Sequence, residues 1–147
     1  LIAPEREAEL HEMLGRNQEV TPPPSADAPA GDGSHGILEG YASQILPDGS
    51  QLQRTPIRAD CQAETAAVLA LHAALAQDAG SETIARNLMN YLYFDSELHR
   101  RERGDPKHPA YGLIAWGAMS PAWRTANYGA SAGSRSVARC SSPPPVR

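Results

Sequence analysis

The clearest periodicity of apolar positions lies between residues 60 and 94. From Cys61 to Gln77 strong helix formers dominate. Ala63, Ala66, Ala67, Ala70 and Ala74 make one stripe of small side chains, and Val68, Leu71 and Leu75 make a neighbouring larger one. An alanine stripe lets another backbone come close, as inside a helical array. Asp60 is the expected N-cap, with Glu64 in the first turns. Gly80 is expected to break this helix and Ser81 to cap the next, with Glu82 in its first turn. Ile84, Leu88, Tyr91 and Leu92 then recur at helical spacing, and Met89, Tyr93 and Phe94 widen the face. The run from Leu88 to Phe94 therefore predicts a helix buried on most sides. Two helices this close in sequence should form an antiparallel αα-hairpin.

Upstream, the pattern is weaker. Residues 1–20 hold a short helix: Pro4 suits the first helical position, Glu5, Glu7 and Glu9 suit the positive helix end, and Leu10, Met13 and Leu14 form a narrow stripe before Gly15. Residues 21–36 (TPPPSADAPAGDGSHG from Thr21) read as a Pro/Gly-rich linker with almost nothing to bury. Residues 37–58 look extended around the turn Leu46-Pro47-Asp48-Gly49, where Pro47 fixes φ and Gly49 accepts a positive one. A β-hairpin or a long structured loop fits, and 36–41 equally fits a helical turn.

Downstream, DSELHRRER (95–103) reads as charged and solvated, and DPKHPAY (105–111) as a proline-punctuated loop. Residues 112–116 are apolar, and Ser120-Pro121 reads as the start of a third helix through Trp123. From Ala130 the composition changes abruptly to Ala, Ser, Gly, Arg and Pro with no acid and no periodicity. A GC-rich coding sequence read out of frame yields mostly these residue types. Residues 130–147 are thus expected to be a disordered tail or a shifted reading frame.

Composition narrows the options. The chain has 147 residues, 13 Pro and 12 Gly, and only 5% aromatics. The core it can build alone is thin, since large side chains carry most burial energy. A net charge of -4 argues against a nucleic-acid partner. No apolar stretch is long enough for a transmembrane segment, and no signal peptide is visible at Leu1. Cys61 and Cys140 make neither a disulfide framework nor a zinc motif, although a bridge between them stays open. No phosphate loop or nucleophile elbow occurs, and no cofactor is expected.

Four segments carry a resemblance: GILEGYASQILPDGSQ (36–51), IRADCQAETA (57–66), ARNLMNYLYFDS (85–96) and DPKHPAYGLIAWG (105–117). They are similar to bacterial proteins of the six-hairpin glycosidase-like class, over about residues 35–129. The resemblance implies a mainly α chain: an αα-hairpin fragment of an (α/α)6 toroid, with a β-hairpin-like N-terminal segment and long loops. Residues 37–129 would form the partial toroid domain. The closing PAWRTANYG (121–129) resembles the point where such proteins continue into an acidic run opening an inner helix; Ala130-Ser131-Ala132 stands here instead. A truncated toroid lacking several hairpins is therefore expected. The class implies carbohydrate as partner, glycoside hydrolase chemistry in the intact relative, and a periplasmic or secreted location. A non-catalytic polysaccharide- or partner-binding segment, or a product with no activity of its own, is the alternative.

Glycoside hydrolysis needs two carboxyl groups, one to protonate the leaving oxygen and one as base or nucleophile. Glu39, Asp60 and Glu64 are the catalytic candidates. Glu39 is the one charge in an apolar, glycine-rich setting, and Asp60 and Glu64 stand at a helix end beside Arg58. Each has a plainer reading: Asp60 as a cap, Glu64 as a first-turn acid, Glu39 as an ion-pair partner of Arg54 or Arg58. Arg58, Trp116 and Tyr111 are the substrate-binding candidates, Trp116 for stacking on a sugar ring. Trp123 and Tyr128 belong to the same aromatic cluster. Asp95 reads as a solvated helix end, with Glu97 pairing to Arg100 or Arg101. Asp95 and His99, four apart, are too few for a metal site, and His11, His35, His72 and His108 read as ordinary surface or loop histidines. Without further hairpins the apolar face of 84–94 has little to cover it, so partial exposure and self-association are expected.

Overall fold

Pro4 opens helix α1 (Pro4–Gly15) in the computed structural model, which describes residues 1–118. Its missing N–H falls where no intrahelical partner exists. Leu10 and Leu14 are the residues α1 buries. The chain then adds β1 (Val20–Thr21), β2 (Gly40–Ile45) and β3 (Gln51–Arg54), then α2 (Ala59–Ala76) and α3 (Ala79–Asn90). A π-helical turn at Tyr91–Asp95 and a 3-10 turn at Arg101–Gly104 follow.

The strands form one antiparallel sheet in the order β1-β3-β2. Its hairpin turns where the sequence predicts. Gly49 N–H donates to the Leu46 carbonyl at 2.9 Å, and Asp48 accepts from both the N–H and the hydroxyl of Ser50. Gly49 has φ +84. The helical-turn alternative for 36–41 gives way to an extended chain, because Gly40 and Tyr41 pair with Arg54 and Gln53. The architecture is therefore mixed, three helices and a small sheet, and only loosely mainly α.

Helix α2 starts one residue before its expected cap. Residues 57–59 run antiparallel to 116–118: Ala59 N–H donates to the Trp116 carbonyl at 2.9 Å and Ala118 N–H to the Ile57 carbonyl at 3.1 Å. This pairing holds Arg58 extended as the N-cap and moves Asp60 into the first turn. The helix also ends differently. Gln77 takes the left-handed conformation, Asp78 caps α3 by accepting from Gly80 N–H, and Gly80 lies inside α3. Asp78 suits this role because its second oxygen accepts from the Ser81 hydroxyl at 2.7 Å.

The core joins α1 to the π-helical turn and the segments around them: Ile2, Leu10, Leu14, Leu38, Ile57, Tyr91, Leu92 and Leu98. Of the segment 21–36, read as having little to bury, residues 22–30 stay largely exposed, whereas Gly31, Gly33 and Gly36 are buried against neighbouring segments. A Cβ at Gly36, where φ is +79, would sit 2.5 Å from the Tyr91 ring, and one at Gly33 would sit 2.9 Å from the Ile84 carbonyl oxygen of α3. The charged run 95–103 likewise buries Ser96, Leu98 and Arg103. Glu97 pairs with Arg101 at 3.0 Å, one of its two expected partners.

The αα-hairpin is partly exposed, as expected where no further hairpin covers it, and the run Leu88 to Phe94 is buried on one side only. Leu88, Tyr91 and Leu92 are buried, but Met89, Tyr93 and Phe94 face outward. On α2, Val68, Leu71 and Leu75 are 67%, 61% and 78% exposed. No helix among the described residues is long and apolar enough to cross a membrane. The helix expected from Ser120, the aromatics Trp123 and Tyr128, Cys140 and the tail 130–147 lie outside the described residues.

Candidate functional site

Four of the six residues singled out from sequence concern one place, the N-terminal end of α2. The 57–59 pairing with 116–118 sets Arg58 beside Trp116, and β2 and β3 bring Glu39 and Arg54 up from the sheet side. Glu39 is fastened by its own backbone, whose N–H donates to the Pro56 carbonyl at 2.9 Å.

Arg58 is the hub. Its Nη1 donates to Glu39 Oε1 at 2.9 Å and its Nε to Asp60 Oδ1 at 3.0 Å, while Nη2 binds Asp60 Oδ2. The Asp60 contact is the bidentate fork that a planar guanidinium suits. Glu39 Oε2 meets Arg54 Nε at 3.1 Å as a charge contact without an aligned hydrogen bond. The guanidinium carbon of Arg58 stands 5.0 Å from the Trp116 ring centroid, a cation–π distance. Burial works against the Arg58 charge, but the hydrogen bonds and charges of Asp60 and Glu39 outweigh it and raise its pKa above the ordinary arginine value.

Glu64 and Tyr111 stand apart from this group. Glu64 is exposed on α2, one turn beyond Asp60, and Tyr111 is exposed on the loop after Pro109. Cys61, the neighbour of Asp60, is half-buried; burial first, and the nearby Asp60 charge second, push its thiol up to about 11. It is therefore a poor nucleophile at neutral pH.

The chemistry follows from the occupied oxygens. Both oxygens of Asp60 and both of Glu39 face guanidinium nitrogens. Carboxylates held this way are fixed acceptors, suited to orienting a partner's hydroxyl groups and poorly placed to pass a proton to a leaving group. The Arg58 cation covers one side of Trp116, so a sugar ring would need the other.

The histidines are spoken for or isolated. His35 Nδ1 lies 2.9 Å from Glu7 and His72 Nδ1 lies 3.0 Å from the Ser81 hydroxyl. Asp95 and His99 do not share a helix face, because the chain turns extended at Ser96. Among the described residues no group of three or more His, Cys, Asp or Glu side chains is placed to hold a metal ion. Sequence reasoning missed a polar cavity between α1 and the π-helical turn, which Glu7 and Tyr91 line with Asp95 and Arg100. Its walls come from segments some 80 residues apart, so no local spacing could announce it.

Compared with known proteins, the chain matches no protein-family model, no curated protein and no solved structure.

Proposed function

We propose that this chain is an αα-hairpin segment of a carbohydrate-active α/α-toroid protein, and that the Glu39–Arg58–Asp60 cluster with Trp116 is part of a saccharide-binding surface. The observation that carries the reading is the convergence of two fixed carboxylates, a guanidinium and an indole at one end of a helix. Sugars are recognised by that combination: planar acceptors and donors for hydroxyl groups beside a flat apolar face for the ring. The segments that resemble six-hairpin glycosidase-like proteins contribute all of these residues.

Between hydrolysis and binding, the geometry favours binding. Glu39 and Asp60 are engaged by arginines, and Glu64 stands free of them on the exposed side of α2. A hydrolase of this class would need a second carboxylate facing this end of α2 from a further hairpin. The exposed row Val68, Leu71 and Leu75, with Met89 and Phe94 on the second helix, is the kind of surface that further helices cover. In isolation the chain would self-associate through this surface, including the 84–94 face.

The test is titration of the chain with soluble glucans, xylans and mannans, reading indole resonances by NMR and reducing-sugar release in parallel. The expected result is a saturable shift of the Trp116 indole with at least one polysaccharide and no sugar release. Absence of any Trp116 response to all of them overturns the reading. Release of reducing ends, lost in Glu64→Gln, would restore the hydrolase assignment instead.

A further inference from the structure

Helices α2 and α3 leave an open groove of about 530 Å³ between them. Ala66 and Ala85 are its buried floor, and Ala63, Ala67, Ala70 and Met89 line it further out. Glu82 and Arg86 stand at its α3 side, already paired: Arg86 Nη2 donates to Glu82 Oε1 at 2.6 Å, so the groove carries no net charge. Beside the groove, α2 raises a ridge. Val68, Leu71 and Leu75 recur at helical spacing on one side of α2, and all three are exposed. Leu71 is four residues from Ala67 and three from Ala74, so ridge and alanine row are neighbours on the helix surface.

The occupant follows from having both shapes on one face. A row of alanines lets another helix approach to about 8 Å, the short end of helix packing distances. A lone partner helix seated in the groove would leave the ridge bare in water. A second copy of this hairpin covers both, because its ridge fills the groove while its own groove receives the ridge. A patch that holds both knob and hole closes under a two-fold axis, the arrangement of symmetric dimers. Charge agrees: a neutral patch meets its copy without like-charge repulsion, although the whole chain carries a net charge of -4. Area agrees as well. At roughly 150 Å² for a fully exposed large side chain, Val68, Leu71, Leu75 and Met89 present roughly 350 Å² of surface. The exposed Ala67, Ala70 and Ala74 and the stems of Glu82 and Arg86 bring the patch to roughly 600 Å². Two such patches bury about 1,200 Å², the lower edge of stable specific interfaces.

We propose that this face of α2 and α3 is a homodimer interface, in which two hairpins pack about a two-fold axis with the Val68, Leu71 and Leu75 ridge of each copy in the alanine groove of the other. The proposal rests on the reading above of the exposed hairpin as a surface that further helices cover, and it names those helices as the same two of a second copy. It makes no use of Trp116 or Arg58. The modest area sets a pair that forms and separates with concentration, at a Kd of about 1–100 μM.

The experiment is sedimentation equilibrium of the full chain in reducing buffer, at concentrations on both sides of that Kd. The expected result is a single monomer–dimer equilibrium with no larger species. Ala67→Gln fills the groove and Leu71→Gln removes the ridge. Both positions are exposed and glutamine is a good helix former, so the monomer keeps its fold, which circular dichroism checks. Each variant should weaken the dimer about tenfold or more. Glu12→Gln, exposed on α1, should leave it unchanged. A chain that stays monomeric throughout, a mass that climbs past two copies, or a dimer that Ala67→Gln leaves intact overturns the interface. The polysaccharide titration reads separately: a silent Trp116 beside a dimer that Ala67→Gln weakens sinks only the sugar-binding surface, and a responding Trp116 in a monomeric chain sinks only the dimer.

Discussion

Gln62 pairs with Ile37 as a neighbouring strand would. Its Oε1 accepts from the Ile37 N–H at 2.8 Å and its Nε2 donates to the Ile37 carbonyl at 2.7 Å. Gln62 is 0% exposed. One side chain of α2 thereby satisfies both backbone groups of a half-buried residue in an irregular segment, and ties the Gly-rich stretch to the helix. Replacing it with Leu keeps the bulk and strands both groups. Gln62→Leu should cost about 2–4 kcal/mol in urea unfolding, since each buried unsatisfied group costs roughly 1–3 kcal/mol.

Gly36 depends on the same contact. Its φ of +79 and a Cβ position 2.5 Å from the Tyr91 ring leave no room for a side chain. Gly36→Ala should destabilise by about 1–3 kcal/mol from backbone strain and overpacking. Gly49, with a similar φ and nothing near its Cβ position, is the control: Gly49→Ala carries the strain alone and should cost less.

Arg58 neutralises two carboxylates that the fold has drawn together. Arg58→Ala should lower stability by about 1–3 kcal/mol, less than for a fully buried pair because the cluster remains partly wet. Adding Glu39→Gln in the same chain should recover part of that loss, a coupling that a double-mutant cycle reads directly.

Cys61 makes a pH prediction. Its thiol is raised from 9.0 to about 11 by burial and by Asp60. The unfolded chain therefore releases this proton first, so the stability this group contributes is whole below pH 9 and declines between pH 9 and about 11. In a Cys140→Ser background, maleimide labelling of Cys61 should accelerate only toward pH 11, and the melting temperature should fall over the same window. A labelling midpoint near 9 would contradict the burial of this thiol.

Leu71 and Leu75 make a prediction about association. They are the most exposed large aliphatics on α2 together with Val68. Leu71→Lys with Leu75→Lys should lower the apparent mass in light scattering and leave the unfolding free energy within about 0.5 kcal/mol of the parent, as for other surface changes.

Much of the local structure was legible because short-range rules govern it. Pro4 at a helix start, Leu46-Pro47-Asp48-Gly49 at a hairpin turn and the alanine-rich run of α2 act through backbone sterics and propensity, which neighbours in sequence decide. The capping assignments missed by two and three positions for a different reason. Asp60 has the right side chain for a cap, but the pairing of 57–59 with 116–118 begins the helix before it. Asp78 displaces Ser81 because Gln77 accepts the left-handed conformation ahead of Gly80.

The candidate site divides along the same line. That Glu39 would meet Arg54 or Arg58 was readable from charge and setting, whereas the place of Trp116 at the end of α2 was not. That Arg58 would bind both acids and lie over the indole depended on a bridge between segments about 60 residues apart. The cavity beside Tyr91 depended on α1 docking across the π-helical turn. Residue types and near-neighbour spacing determined which helices and turns this chain forms, because those are set by local sterics and hydrogen bonding. Which polar groups end up facing one another was decided by long-range packing, because burial joins whatever apolar surfaces the folded backbone brings together.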